Sequence, residues 1–331
     1  MRARYLLPNF RIAVVGAGAI GGYYGAKLGY FGRDVHFLMR GDLRAVRRFG
    51  LRIRGKAENI RLAKVNCYNT SAEIGPCDLV LIALKTTSNP DLASLIPPLL
   101  HDRTMLLTLQ NGLGNEEFLA QHFGAERVLG GLCFICLHRT SLGVIENYDH
   151  GRLVLGEYNG YPAPRTHDVA WEFKRCGVVC TVAENLTKER WRKLVWNIPF
   201  NGLAVTAGGA DTATILADDE LRARALALMD EVIAGANCCG CALPTAEALT
   251  QMKRTRELGA YKPSTLVDFE AGRPLELEAI WGEPLRRALA AGAKMPCLTA
   301  LYQELKKLDE QRAAPLTPHA TREAVAHTMR L

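Results

Sequence analysis

In the first half of the chain, short apolar runs alternate with segments of helical character. Residues 11–16 (RIAVVG) and 34–40 (DVHFLMR) predict two strands, and 19–32 between them predicts a helix. Residues 77–85 and 103–112 are near-continuous apolar runs that end in polar residues, which is typical of strands buried on both faces. Strands that alternate with helices in this way predict a parallel, doubly wound sheet.

Further strands and one helix are predicted before residue 186. In two segments near residue 55, apolar and polar residues alternate with period two, as in a half-exposed hairpin. The later strands are expected to be partly antiparallel. The hairpin covers 51–55 and 59–65, the later strands cover 127–140, 143–149, 151–158 and 178–185, and the helix covers 167–177.

The second half has the periodicity of long helices. Helices are predicted over 188–206, 219–239, 245–257, 264–271, 276–291 and roughly 298–311, and the tail after Pro315 is expected to be poorly ordered. A nucleotide-type α/β half therefore precedes an all-helical half. The boundary is placed near Asn185, so the predicted domains are 1–185 and 186–331.

Length and composition are ordinary for a globular protein. The chain has 331 residues, 48% of them hydrophobic and 23% charged, enough for one large domain or two of ordinary size. No apolar run reaches the roughly 18 residues that a membrane helix needs, and the first nine residues lack the apolar segment of a signal peptide. The protein is therefore expected to be cytoplasmic, with no membrane contact.

The net charge permits small anionic ligands and does not by itself indicate nucleic-acid binding. A net charge of +7 is mild for this length. Eight basic residues lie between Arg44 and Lys64, where they are expected to form the solvated side of a helix and the hairpin. No aromatic-rich or zinc-spaced motif accompanies them, so nucleic-acid binding is not expected.

Ten cysteines could suggest a metal site or disulfides. Cys133 and Cys136 have CxxC spacing, and Cys238, Cys239 and Cys241 cluster, but there is neither a second CxxC nor a nearby His pair at ligand spacing. Free cysteines in a cytosolic chain mostly act as small core hydrophobes. We therefore predict no metal.

The glycine pattern GAGAIG, residues 16–21, matches G-x-G-x-x-G and lies between a predicted strand and a predicted helix. In this context Gly16 permits the tight turn, Gly18 lets a pyrophosphate approach the backbone, and Gly21 allows close packing of helix and strand. The helix N-terminus, with Ala19 and Ile20, would offer free N–H groups to the phosphates. A dinucleotide cofactor is predicted.

Arg40, at the end of the second strand, decides between the two common dinucleotides. An NAD enzyme would place Asp or Glu there to bind the ribose 2′-hydroxyl. A guanidinium instead favours a 2′-phosphate through charge-assisted hydrogen bonds. NADP(H) is therefore predicted, although Asp42 follows two residues later.

Polar residues that end other strands, or share one helix face, are candidates for the chemistry. Lys85 and Asn111 each follow an apolar strand and should face the same cleft. Lys193, Asn197 and Asn201 fall four residues apart, so on a helix they share one stripe between apolar neighbours.

Together these segments resemble the ketopantoate reductase (2-dehydropantoate 2-reductase) family over nearly the whole length. The resemblance is carried by IAVVGAGAIGGYYGAKL (12–28), LTLQNGLGNEE (107–117), ERWRKLVWN (189–197) and PSTLVDFEAGRPLELEAI (263–280). It implies an α/β Rossmann-type dinucleotide-binding domain followed by an all-α C-terminal domain. The active site would lie in the cleft between them.

The resemblance also implies roles for individual residues. Lys193 corresponds to the catalytic lysine and Glu276 to a catalytic, substrate-binding glutamate. The implied substrate-binding residues are Asn111, Asn197, Asn201 and Ser264; Lys85 and Arg40 correspond to cofactor residues, and Asn111 could also bind the nicotinamide ribose. The implied reaction is the NADPH-dependent reduction of a small 2-oxo acid, 2-dehydropantoate, by a monomer or homodimer.

Three departures from the family pattern leave other functions open. Pro199 lies between the two asparagines, Gly202 stands where proline is more common, and LELE places Leu275 and Glu278 at altered positions. A paralogue that reduces another 2-oxo acid or ketone is one alternative. A non-catalytic sensor of NADP(H) is another, although it would not need Lys193 or Glu276.

Overall fold

The computed structural model describes residues 9–56, 58–148 and 151–313. Residues 1–8 of the first predicted domain, and the tail after Pro315 that ends the second, lie outside these residues. The described residues form twelve strands: β1 Arg11–Val15, β2 Asp34–Leu38, β3 Leu51–Gly55, β4 Asn59–Leu62, β5 Asn66–Tyr68, β6 Leu79–Ile82, β7 Met105–Thr108, β8 Val128–Phe134, β9 Leu137–Ser141, β10 Val144–Asn147, β11 Arg152–Glu157 and β12 Val179–Val182.

Thirteen α-helices lie in the same part of the chain. They are α1 Ala19–Tyr30, α2 Leu43–Phe49, α3 Ser71–Ile74, α4 Asn89–Leu95, α5 Asn115–Phe123, α6 Pro164–Arg175, α7 Leu186–Thr206, α8 Thr212–Ala217, α9 Asp219–Cys238, α10 Glu247–Leu258, α11 Ser264–Glu270, α12 Glu283–Ala290 and α13 Pro296–Ala313. The first six accompany the strands and the last seven form the helical half. The sequence predicts six helices for that half, and α8 is not among them.

The main sheet has eight strands in the order β12-β11-β8-β7-β6-β1-β2-β5. All of its pairs are parallel except β8 with β11, which confirms the expected partly antiparallel edge. The chain leaves β1 for β2 on one side and returns to β6 on the other. Such a switch point opens a crevice at the carboxyl ends of the strands, where open α/β sheets bind ligands.

The predicted hairpin β3–β4 belongs to a second sheet, in the order β4-β3-β10-β9. The long strand predicted over 127–140 is divided between the sheets, since β8 ends at Phe134 and β9 begins at Leu137. The small sheet packs on α1, where a Cβ added to Gly22 would lie 2.5 Å from Ile145 Cδ1. Glycine at this helix position therefore permits the close approach.

The helical half is built around α7, which begins directly after Asn185. The Asn185 side chain accepts a hydrogen bond from Lys188 N (2.9 Å) and so caps the helix. Trp191 on α7 and Trp281 next to this helix are almost fully buried, and the Trp281 indole N–H donates to the Ile198 carbonyl at 3.0 Å. The helix continues through Pro199 to its end, although proline cannot donate an intrahelical bond.

The helix predicted over 276–291 differs from expectation. A π-helical turn, Glu278–Gly282, precedes α12, and Pro284 lies in the first turn of that helix. Pro284 has no N–H to donate to the carbonyl four residues earlier, so one α-type hydrogen bond is absent where the π-helical turn meets α12. None of the described helices is long and apolar enough to cross a membrane.

Candidate active site

Four residues predicted from strand ends meet at the carboxyl edge of the main sheet. Gly16 follows β1, Arg40 follows β2, Lys85 follows β6, and Asn111 follows β7. These four strands are neighbours in the sheet, so the four residues follow one another along the same edge. The helical half covers part of this edge, because Lys193 on α7 reaches Asn111.

The glycine turn has the geometry that a pyrophosphate requires. Gly16 has φ +98°, and a Cβ there would lie 2.6 Å from the backbone nitrogen of Leu84. No atom lies within 4 Å of a Cβ placed on Gly18, whereas a Cβ on Gly21 would lie 2.0 Å from the Gly16 carbonyl oxygen. Gly18 caps α1 without a side-chain hydrogen bond, and the first turn has no acidic residue. The helix N-terminus is thus open to an anion and fits a dinucleotide.

Arg40 lies at the outer end of this crevice, with its side chain 72% exposed. Its guanidinium donates to Asp91 Oδ2 at 3.0 Å. Exposed ion pairs of this kind are worth little, because water competes with both partners. The arginine can therefore exchange Asp91 for a phosphate at small cost.

Lys193 occupies the centre of the site. Its ammonium group donates to Asn111 Oδ1 at 2.7 Å and to the Cys133 carbonyl oxygen at 2.8 Å. It also lies 5.3 Å from the ring centre of Phe134. Three elements, α7, β8 and the turn after β7, thus fix the position of one amine. Neither Cys133 nor Phe134 could be assigned to the site from sequence, since one contributes a carbonyl and the other a ring face.

Burial lowers the pKa of Lys193 from its ordinary value of 10.5 to about 8. The Cys133 thiol and Glu276 act in the opposite direction, whereas the positive charge of Arg190 lowers the pKa further. A proton donor is most effective when its pKa is close to the working pH. Lys193 therefore has the position and the proton affinity of a general acid.

Asn111 is held in place by its own turn. The Asn115 side chain donates to the Asn111 carbonyl at 2.9 Å. Gly112 has φ +87°, and a Cβ there would lie 2.1 Å from the Ala279 carbonyl oxygen, so the turn packs directly on the π-helical segment. The Leu113 N–H donates to the same carbonyl at 2.9 Å. Glycine at 112 is thus required both by conformation and by space.

Behind this turn lies a buried ion pair that the sequence does not reveal. Arg190, one turn before Lys193 on α7, donates through Nε to Glu116 Oε1 at 3.0 Å, and a second nitrogen also contacts that oxygen. Its Nη1 donates to the Gln110 carbonyl at 2.6 Å. The two charged side chains are 3% and 5% exposed. The pair joins the helical half to the sheet directly beneath Asn111.

Lys85 faces two carboxylates of the helical half. Its ammonium donates to Asp268 Oδ2 at 2.6 Å and to Glu276 Oε2 at 3.2 Å. Glu276 also accepts from the Thr86 N–H at 2.8 Å. Burial alone would lower the pKa of Lys85, but the two carboxylates outweigh it and raise the pKa above its ordinary value. Lys85 therefore stays charged between the cofactor crevice and Glu276.

Asp268, which accepts a hydrogen bond from Lys85, is not among the site residues predicted from sequence. It follows Ser264 by four residues on α11, so the two share a helix face. Ser264 begins the helix and is exposed, whereas Asp268 is buried and also accepts from Arg273 Nε at 2.8 Å. The spacing from Ser264 is the signal that could have indicated it.

The two asparagines of α7 lie below Lys193 in the interior. Asn197 is 6% exposed and Asn201 is 2% exposed. The side-chain oxygen Oδ1 of Asn201 has no hydrogen-bond partner within the described ranges, which is costly for a buried acceptor. The polar stripe predicted from the spacing is therefore present, and it points inward.

The cysteines do not assemble into a metal site. All ten are free thiols, and the described residues hold no group of three or more His, Cys, Asp or Glu placed to bind a metal. Cys133 is buried, whereas Cys238 is exposed.

A glycine turn shaped for a pyrophosphate and a half-buried amine with a lowered pKa, both at the carboxyl edge of the sheet, are typical of dinucleotide-dependent oxidoreductases. Two family models match this chain: Ketopantoate reductase PanE/ApbA over residues 12–160 and Ketopantoate reductase PanE/ApbA C terminal over residues 185–309. The chain belongs to the ketopantoate reductase family.

Individual relatives agree with this assignment. A 2-dehydropantoate 2-reductase from Nostoc sp. is 41% identical over 313 residues, which are 93% of this chain and 98% of that protein. One from Mesorhizobium japonicum is 30% identical over 324 residues, 91% and 98% of the two chains. The crystal structure of 2-dehydropantoate 2-reductase from Geobacter metallireducens has 44% identity and a TM-score of 0.88, and covers 90% of this chain and 99% of its own. The predicted fold class and the predicted class of NADP-dependent oxidoreductase acting on a CH–OH group are confirmed.

Proposed function

We propose that this protein reduces 2-dehydropantoate to (R)-pantoate with NADPH, a step towards pantothenate and coenzyme A. The observation that carries the proposal is the contact between Lys193 and Asn111, 2.7 Å long, at the point where α7 meets the sheet edge. A 2-oxo acid that enters here has a charged amine beside its carbonyl oxygen and the glycine turn within the same crevice. The names of the relatives support the choice of substrate.

In the proposed reaction the cofactor, when bound, supplies the hydride to the carbonyl carbon. Negative charge then grows on the carbonyl oxygen, where the ammonium group of Lys193 stabilises it and donates the proton. Asn111 and Asn197 would orient the amine and the substrate without cancelling the charge. Asn201 Oδ1, a buried acceptor without a partner in the described part of the chain, would accept from the ligand or from a bound water.

The carboxylates and the hydroxyl of the helical half would recognise the rest of the substrate. Glu276 is buried and already accepts two hydrogen bonds, so it is rigidly placed to accept another from the substrate hydroxyl. The exposed Ser264 hydroxyl can donate to the substrate carboxylate. Lys85, held by Asp268 and Glu276, would bind the cofactor or the substrate through the ammonium hydrogen that these two carboxylates leave free. We place the boundary between the two domains, 1–185 and 186–331, where Asn185 caps α7.

Three of the four departing residues, Leu275, Gly202 and Pro199, lie in packing positions, which favours the family reaction over a different substrate. The fourth, Glu278, is exposed on the π-helical turn. Leu275 is 3% exposed within the helical core. A Cβ on Gly202 would lie 2.7 Å from Leu301 Cδ2, so the missing side chain makes room for α13. Pro199 is buried within α7. Gly202 and Leu275 thus change the core behind the site. A paralogue that reduces another 2-oxo acid or a ketone stays the second candidate.

Oxidation of NADPH, followed at about 340 nm, tests the proposal with ketopantoate, pyruvate and 2-oxoisovalerate as substrates and NADH as the control cofactor. We expect rapid turnover with ketopantoate and NADPH and at least about tenfold lower kcat/KM for the other acids. Faster turnover of another acid would establish the paralogue instead. Tight binding of NADPH without turnover of any 2-oxo acid would favour a sensor.

The pH dependence of turnover tests the role of Lys193. Because the proposed donor is active only when protonated, its activity should be full below its pKa of about 8 and fall as the pH rises through that value. Above it, kcat should decrease by about tenfold for each pH unit, measured as initial rates at saturating substrates. A kcat that does not change between about pH 7 and pH 10 would contradict proton donation by Lys193.

A further inference from the structure

A cavity at the carboxyl end of β2 is lined by Arg40 and by a second arginine, Arg139. Its walls are the glycine turn at 16–18, residues 38–42, the apolar side chains of Leu84 and Leu95, and Arg139. Arg139 lies on β9 of the small sheet, 97 residues after Asp42 in the chain. The fold therefore brings it to the place where the adenosine half of a dinucleotide lies in this type of domain.

Asp42 holds Arg139 at the cavity wall. Arg139 Nη1 donates to Asp42 Oδ1 at 2.6 Å, while Asp42 Oδ2 accepts from the backbone N–H of Gly143 at 3.3 Å. The side chain of Asp42 is 9% exposed, whereas that of Arg139 is 45% exposed. Both oxygens of Asp42 are thus engaged by the small sheet. The carboxylate acts as an anchor for the guanidinium and is poorly placed to accept from a ribose hydroxyl.

The remaining donors of Arg139 suit an anion. A guanidinium has five N–H donors, and the bond to Asp42 uses one nitrogen, so Arg139 can keep this bond and bind a phosphate. Arg40 lines the same cavity and is held by an exposed partner, Asp91. A phosphomonoester carries close to two negative charges at neutral pH, more than one arginine neutralises.

We propose that Arg139, held by Asp42, binds the 2′-phosphate of the cofactor together with Arg40 and is a second determinant of the preference for NADPH. The inference rests on the proposed use of NADPH and adds a specificity residue from outside the glycine-motif region. Asp42, which at first sight weakens the assignment of NADP(H), becomes a positioning residue for it.

Binding of two fragments to the full-length protein, measured by isothermal titration calorimetry, tests this proposal without turnover. The probes are 2′,5′-ADP, which carries the 2′-phosphate, and 5′-AMP, which lacks it. For Arg139→Gln we expect the Kd of 2′,5′-ADP to rise by about tenfold or more, because a charge-assisted bond is lost. The Kd of 5′-AMP should change by less than about twofold, since the apolar walls of the cavity are kept.

Two further variants separate a phosphate contact from a structural role. Asp42→Asn keeps an acceptor for Arg139 and removes a negative charge, so the affinity for 2′,5′-ADP should stay or increase. Arg139→Lys keeps the charge and should have an intermediate Kd. Arg54→Gln, an exposed arginine on β3 of the same sheet, is the matched control for net charge and should behave as wild type.

Equal weakening of both fragments by Arg139→Gln, or equal weakening of both by Asp42→Asn, would show that the ion pair only anchors the sheet and would overturn the proposal. If Arg40→Gln weakens 2′,5′-ADP while Arg139→Gln does not, the second determinant is refuted and the proposed cofactor stands. If wild-type protein does not prefer 2′,5′-ADP over 5′-AMP, the use of NADPH itself fails.

Discussion

Replacement of Lys193 by alanine is expected to lower kcat by about 10²–10⁴-fold, the usual contribution of a general acid. The amine is held at 2.7 Å from Asn111 and 2.8 Å from the Cys133 carbonyl, so no neighbouring water can reproduce its charge and position. Binding of NADPH should be largely kept, because the glycine turn lies on a different element. Steady-state kinetics give kcat, and fluorescence titration of NADPH gives the Kd.

Two variants sharpen this test. Lys188→Ala removes a lysine from the first turn of the same helix, outside the site, and should leave kcat within about twofold of wild type. Lys193→Arg keeps a positive charge but cannot release its proton, since arginine has a pKa above about 12. It should recover part of the electrostatic stabilisation and lose the fall in activity above the pKa of the lysine. Wild-type turnover in Lys193→Ala would remove this residue from the mechanism.

Replacement of Arg190 by methionine is expected to lower the free energy of unfolding by about 3–5 kcal/mol. The change would leave Glu116, which is 5% exposed, as an unpaired carboxylate in the interior. It would also remove the 2.6 Å bond to the Gln110 carbonyl, beside Asn111. Urea denaturation followed by circular dichroism measures the loss, which is large against the stability of about 5–15 kcal/mol typical of proteins.

The control for this prediction is an exposed pair of the same kind. Arg224 and Glu304 are 39% and 44% exposed, so Arg224→Met should cost less than about 1 kcal/mol. The double variant Arg190→Met with Glu116→Leu removes both buried charges and should regain much of the lost stability. An Arg190→Met protein as stable as the Arg224→Met control would mean that the buried pair contributes nothing to holding the two halves together.

Elements with strong periodicity could be predicted from sequence, and short ones could not. The helices α7, α9 and α13 span 21, 20 and 18 residues, long enough for an apolar stripe to repeat several times. By contrast, α3 has 4 residues and β5 has 3, too few to establish any period. The π-helical turn before α12 changes the backbone hydrogen bonds over only five residues, too few to alter the apolar pattern that predicts one continuous helix.

The candidate site divides in the same way. Gly16, Gly18 and Gly21 form a local motif whose spacing alone specifies a turn, a phosphate approach and a close packing contact. Lys193 and Asn197 share a face because one helix turn separates them. Such features depend on neighbours in the chain, so the sequence contains them directly.

The two-part architecture, the dinucleotide turn and the family could be predicted from the sequence alone, because they follow from periodicity and from short motifs. Which distant groups meet is seen only in the tertiary structure. Arg190 finds Glu116 across 74 residues, Lys85 finds Glu276 across 191, and Arg139 finds Asp42 across 97. These pairs form because burial of apolar surface brings their elements together, and a buried charge is stable only beside a partner. No local pattern of residues specifies that partner, so it can be read only from the folded chain.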